Sequence, residues 1–260
     1  MKYSNQIWRL QRIFWMFFAR WPGSCKCIIC GHSVARFLPY QGGKSFSPPL
    51  MQELDVVGSD IENFECPRCG SHDRERHLIL YFERAGLFKQ LNHARVLHFA
   101  PEKYFSQKIQ ESTPISYIKA DLYPSTEYIE KIDMQELPFE SSSLDFVIAN
   151  HVLEHVRDDK KALSEITRVL TPGGTAILQT PFSRKLRTTL EDPGIHSASA
   201  RLHAYGQEDH VRLYGQDWLN YFESFGLSSS VKKHEDLLTD IDPFIHGVNA
   251  AEPFMWFVKR

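Results

Sequence analysis

The chain has 260 residues, of which 42% are hydrophobic and 24% charged. That balance supports a sizeable core and excludes disorder as the main state of so long a chain. A formal net charge of −2 supplies no bulk attraction to a phosphate backbone, so no nucleic-acid partner is expected.

The first segment, residues 1–23, reads "MKYSNQIWRLQRIFWMFFARWPG". Its apolar run is too short and too interrupted by Arg9, Arg12 and Arg20 to span a bilayer, and no small-residue cleavage site follows it. Ile7, Leu10, Ile13, Phe14, Phe17 and Phe18 recur at helical spacing, which predicts an amphipathic helix. Such a helix packs on the body of the protein or lies on a membrane surface as a peripheral contact.

All five cysteines follow within residues 25–69, as "CKCIIC" and "CPRCG". The pairs Cys27/Cys30 and Cys66/Cys69 each predict a tight turn that offers two thiolates to one side. Two such turns complete a tetrahedral S4 shell, so residues 24–73 read as a zinc-ribbon-like element with these four residues as metal ligands. A closed shell has no open position, which makes the Zn2+ structural. Gly31 and Gly70 stand where the backbone turns sharply. Cys25 is left over as a spare thiol, His32 and His72 are substitute ligands, and free core cysteines or a disulfide are the alternative. Clustered thiols of this kind also point to a reducing compartment, hence a cytoplasmic location. Between the pairs, "GGKSFSPPL" reads as a flexible loop.

From Arg74 an α/β pattern begins, over 74–260. A helix is predicted in "RERHLILYFERAGLF", ending near Gly86. Strands are predicted at 95–99, 115–122 and 174–182, "LDFVIANHVLEHV" (144–156) reads as a strand followed by a helical turn, and helices are predicted in "PEKYFSQKIQE" and "KKALSEITRVL". A further helix in "QDWLNYFESFG" precedes closing strands in "SSVKKH" and "PFMWFVKR". Short apolar runs alternating with helical periods predict a mostly parallel sheet covered on both faces.

The block "IDMQELPFESSSLDFVIANHVLEHVRDDKKALSEITRVLTPGGTAILQTP" resembles the centre of the class I S-adenosylmethionine-dependent methyltransferases. An acid before L-P-F, then L-D-F-V where the family has F-D-x-V, L-E-H-V, a helix ending R-V-L, and P-G-G follow in the family's order. The cysteine pairs, "HFAPE" and "GQEDHVRLYG" together resemble a bacterial subgroup with a cysteine-rich N-terminal extension. The resemblance implies a Rossmann-like doubly wound sheet and S-adenosylmethionine as methyl donor. It places Asp121 on the ribose diol, Asp133 and Met134 on the adenine, and Asn150 and His151 near the sulfonium and methionine tail.

One family feature is missing. The loop after the first strand, "RVLHFAPEKYF" (95–105), has His98 where the family has an acid, and Ala100, Glu102 and Tyr104 where it has glycines. The substitute expected here is a helix starting at Pro101, whose free amides take the methionine carboxylate. Glu102 would then meet the ammonium, and the small Ala100 would keep the crevice open. Candidate bases are His151, His210 and His155, with Asp209 and Arg212 able to orient an acceptor. Residues 184–215 read as a lid and acceptor insertion. The expected reaction is methyl transfer to a small-molecule or glycan-type acceptor at oxygen. The alternative is a non-catalytic methyltransferase-like binding protein whose zinc element recruits a partner.

Overall fold

The computed structural model describes residues 16–260. Most of the expected N-terminal helix lies outside them. Residues 16–19 are its helical end, with Phe17, Phe18 and Trp21 exposed. Among the described residues no helix is long and apolar enough to cross a membrane.

The centre is a seven-stranded sheet built from β1 (Arg95–Phe99), β2 (Ser116–Asp121), β3 (Glu130–Lys131), β4 (Leu144–Ala149), β5 (Leu170–Ile177), β6 (Leu227–Ser229) and β7 (Trp256–Lys259). Their spatial order is β6-β7-β5-β4-β1-β2-β3. β7 runs antiparallel to both neighbours, and the other pairings are parallel. The expected mostly parallel, doubly wound sheet is therefore present. β1 and β4 are almost wholly buried, as strands covered on both faces must be. Alternation sends Leu97, Phe99, Val147 and Ala149 to one core and Val96, Phe146 and Ile148 to the other.

Helices α1 (Asp73–Arg84) and α2 (Lys103–Glu111) pack on the second of these faces, and α3 (Asp159–Val169) on the first. α1 stops one residue before Gly86, which takes a φ of 68°. Its pattern ends there because a left-handed residue stops the helical hydrogen-bond ladder. α2 starts later than expected: its N-cap is Glu102, and Pro101 precedes it in the loop.

The cysteine element is a pair of matching turns. Gly31 and Gly70 donate to the carbonyls of Cys27 and Cys66 at 2.9 Å each, and both glycines have positive φ, 72° and 77°. The segment between the turns is not a featureless loop. It forms a short 3-10 turn (Gly43–Phe46) and a helical turn (Pro49–Glu53), then a two-residue ribbon in which Val56 and Val57 pair with Ser183 and Phe182. This pairing was invisible in the sequence because its two partners are more than a hundred residues apart and each is only two residues long.

Arg76 joins the element to the sheet domain. Its side chain is fully buried and donates to the carbonyls of Ser71, Asn63 and Phe64 at 2.6, 2.7 and 3.3 Å. On the other side it donates to His246 and Gly247 at 3.1 and 2.6 Å. The guanidinium lies 4.2 Å from the Phe37 ring centroid. Removing it strands several buried acceptors at once, each costing about 1–3 kcal/mol. Arg76→Met is therefore expected to lower unfolding stability by several kcal/mol, as measured by urea denaturation, with Arg76→Lys recovering only a small part because an ammonium lacks the planar fork.

Candidate functional site

The strand order reverses between β1 and β4, since β2 and β3 lie on one side of β1 while β4 and β5 lie on the other. In open α/β sheets ligands bind in the crevice outside the strand carboxyl ends at such a point. The loops leaving β1 and β4 meet here, and each begins with a strained residue. Ala100 has a φ of 46° and His151 a φ of 54°. Both are left-handed non-glycine residues, each costing about 1–2 kcal/mol. Ala100 thus adopts the glycine-like conformation without being glycine, and no sequence pattern marks it.

Glu102 and Asn150 meet across this crevice. Asn150 Nδ2 donates to Glu102 Oε1 at 2.5 Å, and His98 Nε2 lies 3.1 Å from Glu102 Oε2. The Tyr117 hydroxyl, 2.8 Å from His98 Nδ1, fixes that ring from behind. Burial works against the charge on Glu102, but the His98 hydrogen bond outweighs it and holds the carboxyl below its usual range. The residue is a negative charge in a fixed orientation, with lone pairs left for an ammonium.

The anion site expected at the start of α2 is overturned. The first free amides there, Tyr104 N and Phe105 N, donate to Glu75 Oε1 of α1 at 2.5 and 3.0 Å. A carboxylate of the chain itself therefore occupies these two amides at the positive end of the helix. Burial raises the Glu75 carboxyl to about 6. A different cation stands nearby: Arg74 of α1 lines the cavity beside His151 and makes no ion pair or hydrogen bond among the described residues. Sequence reading passed over it because "RERH" reads as the solvated start of a helix.

Asp121 closes β2, half-buried, and its Oδ1 accepts from Tyr123 N at 2.8 Å. Asp133 is turned into its own loop, where Oδ1 accepts from the Gln135 backbone amide and from Gln135 Nε2, both at 2.9 Å. Met134 is 3% exposed and belongs to the core below.

His151 sits between two buried acids. Its Nε2 is 2.9 Å from Glu252 Oε1 and its Nδ1 3.3 Å from Glu154 Oε1. Burial and the charge of Arg74 oppose protonation, but the two carboxylates win and raise the imidazole to about 9. An imidazolium with both N–H groups engaged is a donor and a fixed charge; it has no lone pair with which to remove a proton. Neither acid was singled out in the sequence, since Glu252 lies in a C-terminal turn and Glu154 inside an apolar run.

His210 is 3% exposed. Its Nδ1 lies 3.0 Å from the Tyr205 carbonyl, and its Nε2 has no partner. Arg212, expected to anchor an acceptor, is fully buried instead. It donates to the carbonyls of Leu153, Val156 and Arg157 and pairs with Glu191 and Asp159. Its charge is spent inside the fold, holding the turn 153–157.

Two adjoining cavities of about 360 and 720 Å³ both touch His151. Their outer walls come from the segment between the cysteine turns: Tyr40, Ser47, Ser59 and Ile61. His155 and Asp209 line the first and His210 the second. Neither is lined by Glu102, Asn150, Asp121, Asp133 or Met134.

The four thiols form a compact group. Cys27 and Cys69 Sγ are 3.8 Å apart, Cys30 and Cys66 Sγ 3.9 Å, and all four lie within 4.8 Å of one another. With metal–sulfur bonds of about 2.3 Å, a tetrahedron has edges of about 3.8 Å. Cys25 is buried outside the group, with Sγ 3.8 Å from the Phe244 carbonyl. His72 stacks on Phe64, at 4.3 Å between centroids.

The charged cluster around His151 sets a pH window. The two carboxylates raise the His151 imidazole from its ordinary 6.5 to about 9, so its contribution to stability is full below about 6.5 and is lost as pH rises through 9. Glu154 and Glu252 are held down to about 2 from 4.5, so theirs is full above 4.5 and lost as pH falls through 2. Histidine NMR titration is expected to show one imidazole titrating near 9, and Glu252→Gln to bring it down by at least one pH unit.

Comparison with known proteins follows the same boundaries. Residues 92–178 match the family described as a methyltransferase domain. A probable S-adenosylmethionine-dependent methyltransferase of Mycolicibacterium smegmatis is 34% identical over 127 residues, 48% of this chain and 49% of that protein. The ubiquinone/menaquinone biosynthesis C-methyltransferase of Campylobacter jejuni is 36% identical over 70 residues, 27% of this chain and 29% of that protein. Among solved structures, an S-adenosylmethionine-dependent methyltransferase from Mesorhizobium loti aligns at 16% identity and a TM-score of 0.46, over 72% of this chain and 98% of that one. The chain spans about half or less of the length of these curated relatives. Residues 92–178, which build the centre of the sheet and both loops of the switch point, belong to the class I S-adenosylmethionine-dependent methyltransferases.

Proposed function

We propose that the protein is an S-adenosylmethionine-dependent methyltransferase acting on a small-molecule or glycan-type acceptor at oxygen. The observation that carries this reading is the fixed Glu102 carboxylate at the switch point, held by Asn150 and His98. The cofactor would supply a methyl group on an electrophilic sulfonium. Its ribose diol would be held by Asp121 through charge-assisted hydrogen bonds, its adenine by Asp133 and the loop over Met134, and its ammonium by Glu102. Arg74 takes the methionine carboxylate, in place of the α2 amides that Glu75 already occupies.

The chain's part in transfer is alignment. The walls contributed by residues 40–61 enclose the acceptor, and imidazolium His151 orients an acceptor oxygen as a donor. Oxygen is favoured over carbon by the lining, in which Tyr40, Ser47, Ser59 and Asp209 offer hydrogen bonds suited to hydroxyl groups. The name of the Campylobacter jejuni relative states carbon transfer, and that relative matches 27% of this chain. The four-cysteine group is assigned a structural zinc ion. Exposed Phe17, Phe18 and Trp21 suit a peripheral membrane contact for the segment that precedes them, in a protein assigned to the cytoplasm.

A non-catalytic binding role is the second reading, favoured by the capping of α2 by Glu75. Titration calorimetry with S-adenosylmethionine separates the two. Heat of binding is expected, and Asp121→Ala and Arg74→Ala should each weaken it at least tenfold; absence of heat in folded, zinc-loaded protein would sink the enzyme reading. For the metal, a chelator is expected to lower the thermal midpoint of the wild type, and Cys66→Ser to lower it by a similar amount without chelator.

A further inference from the structure

A cluster with no part in the reading above lies where the turn after β4 meets residues 205–212. Glu154, His155 and His210 each offer one ligating atom, and the three atoms lie within 4.8 Å of one another. Glu154 is 1% exposed and His210 3%, whereas the His155 side chain is 32% exposed. The two rings meet edge to face, 4.7 Å between centroids.

The far nitrogen of each ring is already engaged. His210 Nδ1 lies 3.0 Å from the Tyr205 carbonyl, an acceptor that only a ring N–H can satisfy. The proton is therefore on Nδ1 and the lone pair on Nε2, which is buried and has no partner. His155 Nδ1 lies 3.3 Å from the Asp209 carboxylate, which leaves its Nε2 for something else. A ring that donates one N–H to a carbonyl or carboxylate and presents the other nitrogen bare is arranged as a ligating histidine. Glu154 is oriented by its own contacts, with Oε1 3.3 Å from His151 Nδ1 and Oε2 accepting from Thr180 Oγ1 at 3.1 Å. Each carboxylate oxygen keeps a further lone pair. Ordinary core packing explains a buried histidine, but not a bare Nε2 set beside a second imidazole and a carboxylate.

We infer that Glu154, His155 and His210 form a second metal site, distinct in chemistry from the four thiols. Two neutral imidazoles and one carboxylate suit a divalent first-row transition ion such as zinc. Three protein ligands leave a coordination position open. His155 and His210 line the two cavities that share His151, so that position faces the space assigned to the acceptor, and an acceptor hydroxyl oxygen is its occupant. That last step rests on the methyltransferase reading; the metal site does not.

The test is metal content of the full chain, saturated with zinc chloride and desalted, with no cofactor or acceptor present. His210→Ala and His155→Gln are each expected to retain one zinc equivalent fewer than the wild type, and variants holding as much zinc as the wild type would overturn the site. His155 is partly exposed, so its substitution keeps the test valid should His210→Ala fail to fold. Cobalt substitution supplies the second readout. The equivalent lost in the variants is expected to absorb without thiolate-to-metal charge transfer, and a lost equivalent that carries the thiolate band would assign the effect to the cysteine group instead. Failure of S-adenosylmethionine to bind leaves this result unaffected.

Discussion

The Arg76 guanidinium is the constraint on which the rest of the molecule depends. A charge wholly out of water persists only when its donors meet acceptors, and Arg76 finds them in carbonyls of two segments far apart in sequence, 63–71 and 246–247. The thiol turns are thereby seated on α1, and the chain between them is drawn across the carboxyl ends of the strands. Val56 and Val57 then pair with Phe182 and Ser183, and Asn249 Nδ2 donates to the Gly58 carbonyl at 2.6 Å. The cysteine-rich extension is a wall of the site and not an appendage to it. A structural metal, by fixing the turns, would act on the acceptor cavity through this one buried cation.

Inside that wall the site alternates acids and imidazoles, several of them held by named neighbours. Glu102 lies between His98 and Asn150. Glu252 lies between His151 and His77, whose other nitrogen is 3.1 Å from His234. Buried polar groups matched in this way are rigid, because any displacement leaves a charge unpaired in a medium of low dielectric. Rigidity is also what holds Ala100 and His151 in left-handed backbone at the two strand ends. Preorganised charges of this kind suit chemistry in which a cation loses its charge during transfer, since no reorganisation is needed at the moment of reaction.

Much of the fold was legible in the residues. β1 spans the five residues expected of it, α3 agrees within one residue at each end, β4 opens at Leu144 as expected though no helix follows it within 150–156, and the paired cysteine turns repeat the same hydrogen bonds around Gly31 and Gly70. The reason is that buried parallel strands, amphipathic helices and tight thiol turns are each written in local composition. Position in the sheet was legible for Asp121, at the end of β2, and for Asn150, directly after β4. Glu75 capping α2, Arg74 beside the cavity and Glu252 on His151 left no local mark. Each is an ordinary charged residue in its own segment; Glu75 and Glu252 acquire their partners 29 and 101 residues away, and Arg74 meets the cavity only in the folded chain. Arg212 shows the reverse, a residue that reads as exposed and functional in a polar stretch yet is consumed by the carbonyls of the turn 153–157.

By itself, then, the sequence determined the doubly wound sheet and the four-thiol group, because periodicity and cysteine spacing are local properties, and pointed to the cofactor class through the family resemblance carried by residues 92–178. Only the tertiary structure decided which charges are available to a ligand. Availability depends on what each group already bonds, and those bonds run between elements: Glu75 to the amides of α2, Glu102 to Asn150, Glu252 to His151. The glycine-free loop after β1 is the clearest case. Its missing glycine is answered by Ala100 held left-handed, while the anion site that its helix start suggested is closed by a carboxylate from another helix.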